Sequence, residues 1–138
     1  MTTIAWDGEF LAADGQITRD ISIETLTERK LRKINHCWIG YAGSSSLFEM
    51  FIEWFKAQDE RPDIGKNFVA VVLSDKGLFE YDDALYPIKI SYNAAWGSGR
   101  DFALAALDHG ATAKEAIKYA SSRDVYTGGR IQVVSLIG

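Results

Sequence analysis

The sequence is poor in several residue types at once, with one cysteine, two prolines, two methionines and two histidines in 138 residues. A lone cysteine, Cys37, excludes an intrachain disulfide and a cysteine-rich metal site. His36 stands beside it, but the two fall in a stretch that reads as a strand, where adjacent side chains point to opposite faces. Cys37 is therefore expected to be a buried structural residue and not half of a Cys-His dyad, and His109 is expected at the surface near a helix end. No apolar run approaches the ~20 residues that span a membrane, and the N-terminus lacks the basic-then-apolar layout of a secretion signal. There is no positive surplus either: the net charge is −4 and the pI about 5.1, which argues against nucleic acid or an acidic membrane as partner. The cluster Arg29, Lys30, Arg32 and Lys33 is too short to reverse that balance. These absences point to a cytoplasmic protein.

What is present is an ordinary globular composition, 47% hydrophobic and 25% charged, without repeats or low-complexity stretches. Residues 1–138 are expected to form a single domain with one sizeable core. Residues 2–6 and 10–13 are β-prone runs around Asp7-Gly8, a dipeptide suited to a hairpin turn. Residues 21–25 and 37–42 read as further strands. Phe48, Phe51, Ile52 and Phe55 follow at i, i+3, i+4 and i+7, one stripe of a helix that the preceding serines can cap. The polar stretch 58–67 reads as a loop, 68–73 and 78–81 as a hairpin, and 88–96 as one or two strands. After Gly97-Ser98-Gly99 comes a helical stripe of Phe102, Ala105 and Ala106 ending at Gly110. A second helix opens with a capping box at Thr112 and Glu115, and 131–137 reads as a final strand. Strands that arrive as consecutive hairpins favour an α+β fold of two packed antiparallel sheets over a parallel βαβ fold.

The chemistry begins at residue 2. Removal of Met1, expected before a residue as small as threonine, would give Thr2 a hydroxyl and a free α-amine on one carbon, a nucleophile beside its own base. An α-amine titrates at roughly 7.7–8.0, so it can accept that proton near neutrality. A nearby lysine would lower the amine's pKa and favour a developing alkoxide. Conversely, a retained methionine acylates that nitrogen and removes the base. On residues alone, Asp14 beside Gly15 reads as a turn residue and Lys30 as one of four solvated cations. Gly43 closes an apolar strand and opens a helix, where a backbone N–H can face an oxyanion. Gly97-Ser98-Gly99 is not a nucleotide loop, because Phe102 stands where a dinucleotide fingerprint has its third glycine.

Six stretches taken in order, TTIAW, AADGQIT, RKLRKI, WIGYAGSSSLFEMF, AAWGSGRDFALAAL and SSRDVYTGGRIQVV, resemble the proteasome β-subunits and the HslV (ClpQ)-type peptidases of the N-terminal-nucleophile hydrolases. The resemblance implies a four-layer αββα sandwich of two antiparallel sheets. It implies Thr2 as nucleophile, its amine as general base acting through a water, and Asp14 holding Lys30 to tune Thr2. Ser98, Asp124 and Thr127 correspond to the hydrogen-bond network around the terminal amine, with Thr127 in place of a common serine. Gly43 corresponds to the oxyanion donor, Thr18 and Ser45 to positions whose backbone holds a peptide as an added strand, and Tyr41 to the floor of a primary specificity pocket. No metal or organic cofactor is implied. The implied partners are a peptide or unfolded-protein substrate, further copies in a homo-oligomer and an ATP-driven unfoldase. The chain departs from the family where QDERPDIGKN replaces a second helix after the first, and in a shorter first hairpin. Two other readings stand beside the threonine peptidase: a non-catalytic assembly or interaction protein that kept the fold, and an amidase acting on a small amide.

Overall fold

The computed structural model describes residues 1–136. The first hairpin is β1 (Thr3–Trp6) and β2 (Leu11–Ala13), and Asp7 builds the turn between them by accepting the Glu9 and Phe10 N–H groups at 2.9 and 2.7 Å. Gly8 takes a φ of 99°, the left-handed region that glycine enters at no steric cost. Every residue of both strands is buried, so each face of the sheet is covered. One face carries Ile4, Trp6 and Leu11 into the space between the sheets. The other carries Ala5 and Ala12, small enough for helices to approach closely.

Two more short strands, β3 (Ile17–Arg19) and β4 (Ser22–Thr25), form a separate hairpin. Then β5 (Arg32–Ile34), β6 (Cys37–Ala42), β7 (Val69–Ser74), β8 (Gly77–Tyr81) and β9 (Pro87–Ile90) pair antiparallel in chain order as a five-stranded sheet. Strand β10 (Ala94–Gly97) and the last strand, β11 (Gln132–Val134), complete the first sheet in the order β10-β1-β2-β11. Helix α1 (Ser45–Ala57) lies on the five-stranded sheet, where Phe48, Phe51, Ile52 and Trp54 pack against Ile39, Ala70 and Val72. Helices α2 (Arg100–Asp108) and α3 (Ala113–Arg123) cover the other sheet through Ala103, Leu107, Ala116, Ile117 and Ala120. The layers therefore run helix, sheet, sheet, helices, the expected αββα sandwich. The capping box at Thr112 and Glu115 is formed in full.

Several elements differ from expectation. Strands β3 and β5 were not foreseen, and Ile21 is a fully exposed hairpin tip instead of the first residue of a strand. His36 is not in a strand: Asn35 and His36 both have positive φ and form the two-residue turn between β5 and β6. Cys37 is half-buried against the α1 aromatics, and that burial raises its thiol pKa. His109 caps the end of α2 and is exposed, as expected. Residues 88–96 break into β9 and β10, which belong to different sheets, because Ser91-Tyr92-Asn93 carries the chain across. The predicted last strand ends at Val134, and its predicted end at residue 137 lies outside the described residues.

The polar stretch 58–67 contains no helix. It is pinned instead by Ile64, 3% exposed, and by Trp54, whose Nε1 donates to the Asp59 carbonyl at 3.1 Å. Arg61 also anchors it, standing 4.0 Å from the centre of the Tyr86 ring and donating to the Leu85 carbonyl. No described helix is long and apolar enough to cross a membrane.

A buried lysine and aspartate at the N-terminus

Strand β1 runs between β10 and β2, with Thr3 opposite Gly97 and Ile4 opposite Ala13. Residue 2 thus sits where the strand leaves its sheet, between the Gly97-Ser98-Gly99 turn and the Asp14-Gly15 corner. The turn closes on it through the Ser98 N–H, which donates to the Thr2 carbonyl at 2.9 Å. Gly97 has a φ of 98°, and a Cβ there would lie 1.6 Å from the Thr2 carbonyl oxygen. No side chain fits at that point.

Asp14 is fully buried, and its Oδ1 accepts both the Thr3 N–H at 3.0 Å and the Lys30 ammonium at 2.7 Å. Its Oδ2 accepts the Gly128 N–H at 3.2 Å. Lys30 is only 3% exposed, so it is not one of four solvated cations; Leu31 and Ile34 beside it carry their segment into the interior. The segment is held by Gln132, whose side-chain amide bonds both the N–H and the carbonyl of Leu31 at 2.9 and 2.8 Å, as a neighbouring strand would. Burial pushes the Lys30 pKa down from its ordinary value, and the Asp14 carboxylate opposes that fall.

The second acceptor of the Lys30 ammonium is the Met1 carbonyl oxygen, at 2.7 Å. That oxygen is two covalent bonds from the Thr2 nitrogen, so the ammonium is within about 5 Å of it. The Met1 amine itself has a lowered pKa, first through burial and then through the Lys30 charge, with Asp14 and Asp124 opposing.

On the other side, Asp124 ends α3 and accepts the Thr127 hydroxyl at 2.6 Å and the Tyr126 N–H at 3.2 Å. Burial works to raise its pKa, but these bonds and the positive N-terminus hold it below the ordinary carboxylate value. The Ser98 hydroxyl is buried beside this group without a well-formed hydrogen bond. Asp14, Lys30, Ser98, Asp124 and Thr127 are thus gathered around residue 2.

Of the remaining predicted residues, Tyr41 and Ser45 share a cleft of about 290 Å³ with Lys30, and Thr18 and Gly43 do not line it. Tyr41 is half-buried there, its ring stacked on Phe48 with centroids 4.1 Å apart, and burial, followed by the Glu28 and Glu49 charges, raises its hydroxyl pKa. Gly43 does not open α1, because the N-cap is Ser44 and Gly43 precedes it with a φ of 131°. A Cβ on Gly43 would meet the Asn67 carbonyl at 2.6 Å. Thr18 lies in β3, where its hydroxyl accepts from Gln16. Neither Gly43 nor Thr18 hydrogen-bonds to the Lys30 group among the described residues.

Thr3, Gln16 and Gln132, which no motif in the sequence singles out, also brace this site. The available signal was weak: each is a polar residue beside apolar ones, and only the fold shows that Thr3 is 0% and Gln16 4% exposed. Among the described residues, no group of three or more His, Cys, Asp or Glu is placed to hold a metal ion.

No protein-family model matches the chain. Proteasome subunit beta 1 of Pyrococcus horikoshii is 32% identical over 170 residues, which takes in 94% of this chain and 86% of that protein. HslV from Trypanosoma brucei superposes with a TM-score of 0.74 at 21% identity, covering 97% of this chain and 98% of that one. Thiobacillus denitrificans BPH in complex with epoxomicin superposes with a TM-score of 0.72 at 16% identity, covering 98% of each chain. The two structures share the fold, and the Pyrococcus sequence shares close to a third of the residues along nearly the whole length. With the αββα layers and a buried lysine-aspartate pair at the head of β1, this chain belongs to the proteasome β-subunit family.

Proposed function

We propose that the chain is a single-domain threonine peptidase that cuts peptide bonds with Thr2 after Met1 is removed. The observation that carries this reading is the buried Lys30 ammonium, held by Asp14 at 2.7 Å and bonded to the Met1 carbonyl next to the Thr2 nitrogen. A scaffold has no physical need for a desolvated ion pair there, since such a pair returns little net stability. Loss of Met1 takes away one acceptor of Lys30 and leaves its charge facing the new amine and the Thr2 hydroxyl. That charge lowers the amine's pKa, so the amine can take the hydroxyl proton, through a water, at neutral pH. Thr2 Oγ then attacks the substrate carbonyl, and the Gly43 N–H is assigned to the developing oxyanion. The amine returns its proton to the leaving nitrogen, and a water hydrolyses the Thr2 ester. Asp124, Thr127 and Ser98 orient the amine throughout.

The peptide is assigned to an extended pairing along the backbone of Thr18 and Ser45, with one side chain in the cleft over Tyr41. The stacked ring makes that cleft shallow. The same reading takes the substrate as a peptide or unfolded protein. The working form is a cytoplasmic homo-oligomer, fed by an ATP-driven unfoldase.

A panel of fluorogenic peptides and small amides, assayed on Met1-free protein with Thr2→Ala as control, tests the proposal. Peptide turnover that vanishes in Thr2→Ala is the expected result. Turnover of small amides alone would make the chain an amidase. No turnover of either class would leave a non-catalytic assembly protein, the reading favoured by the single helix over the five-stranded sheet.

A further inference from the structure

The Thr3 side chain is 0% exposed, and its hydroxyl is fully engaged. It accepts the Gly99 N–H at 2.9 Å and lies 2.7 Å from the Thr127 hydroxyl. Thr127 in turn lies 2.6 Å from Asp124 Oδ2. A hydroxyl has one proton to give, a backbone N–H can only donate and an ionised carboxylate can only accept. These constraints leave one direction for the chain of bonds. Thr127 gives its proton to Asp124, so it must accept from Thr3, which accepts from Gly99. Linked donors polarise one another in sequence.

Gly99 serves the same array. Its backbone angle is ordinary, yet a Cβ there would lie 2.7 Å from the Thr3 hydroxyl and 2.8 Å from that of Thr127. The backbone of Thr3, meanwhile, donates to Asp14 at 3.0 Å. One residue therefore ties together the two carboxylates that flank residue 2, Asp14 through its N–H and Asp124 through the hydroxyl relay.

We propose that Thr3 is a positioning residue for the reaction at Thr2, its hydroxyl directing Thr127 and thereby fixing Asp124 against the terminal amine. The inference rests on the reading of Thr2 as nucleophile and goes beyond it, since Thr3 itself touches neither substrate nor reacting atoms. Without the Thr3 hydroxyl, Thr127 loses its donor and is held only by its own bond to Asp124, so the angle at which it meets that carboxylate is no longer fixed. Small displacements of a positioning group are enough to slow a reaction by about a hundredfold.

The test is kcat and KM, measured separately on Met1-free Thr3→Val and Thr3→Ser with a peptide substrate. Thr3→Val, nearly isosteric, is expected to lower kcat by about ten- to a hundredfold with KM unchanged, because the relay acts on the amine and not on substrate binding. Thr3→Ser restores a hydroxyl and should stay within about twofold of wild type. Wild-type kcat in Thr3→Val would overturn the relay, as would equal losses in the two variants or a change confined to KM. If Thr3→Val does not melt cooperatively, Thr3→Ala takes its place under the same criteria. An inactive wild type would overturn the Thr2 reading and the relay with it, whereas an active wild type with equally active variants would overturn the relay alone.

Discussion

Asp14→Asn should destabilise the fold by about 3–5 kcal/mol, the cost typical of breaking a buried ion pair from one side. The Lys30 and Asp14 side chains are 2% and 0% exposed, so the lysine left behind has no water to turn to. In the chain that carries Met1, its remaining partner is the neutral Met1 carbonyl, and loss of Met1 removes that partner too. Thr3 donates to Oδ1 and Gly128 to Oδ2, and asparagine has one oxygen for these two N–H groups, so one backbone bond is lost together with the charge. Adding Lys30→Met, which removes the stranded charge, should recover the part of the loss that the charge causes and leave the part due to the lost backbone bond, and that recovery measures the coupling. Urea unfolding of the two single variants and the double variant is the measurement. A deficit below about 1 kcal/mol in Asp14→Asn would mean that the pair is solvated.

The deficit also has a pH signature. Lys30 titrates lower in the folded chain than in the unfolded one, chiefly through burial. Its cost to the fold is then complete where both states are protonated, and it fades as pH rises from the lowered folded value toward the unfolded value of about 10.4. Removing Asp14 takes away an influence that raises the Lys30 pKa, so the window should widen downward in Asp14→Asn.

Thr2→Ala is expected to keep the fold and lose peptide turnover by about 10⁴-fold or more, the scale on which nucleophile removal acts. Residue 2 is held through its backbone, by the Ser98 N–H on its carbonyl, and alanine keeps that bond. Melting should therefore change little while activity disappears. Turnover surviving in Thr2→Ala would place the nucleophile elsewhere, and a parallel loss of melting temperature would make Thr2 a structural residue.

The sequence carried the layers well because their signals are local. The 3.6-residue stripe of α1, the capping box of α3 and the Asp7-Gly8 turn each specify an element without help from distant residues. Strands β3 and β5 were hidden for the opposite reason. Residues 32–34, Arg-Lys-Ile, become a strand only because β6 offers them a register, and no window of three residues can show that. His36 was misplaced by the same reasoning, since a positive-φ pair at Asn35 and His36 lacks the glycine that marks such turns.

The site was legible only as a resemblance. Asp14 and Lys30 look like surface residues in isolation, and what makes them a pair is the crossing of two chain segments that are remote from the last strand. Gln132 clamps Leu31 from that strand, and a Cβ on Gly15 would meet the Arg130 carbonyl at 2.5 Å. The role of Thr3 was invisible because its three partners lie at residues 14, 99 and 127. Gly43 shows how far local reasoning reaches: the glycine at the end of β6 was identified, but its position relative to the helix was one residue off.

The most direct test of the central claim is the intact mass of the purified protein before and after incubation with an epoxyketone directed at N-terminal threonines. A mass lacking Met1, followed by a single covalent adduct that Thr2→Ala does not form, is the result this account predicts. A protein that keeps Met1 and takes no adduct, with Lys30 still bound to the Met1 carbonyl, would contradict it.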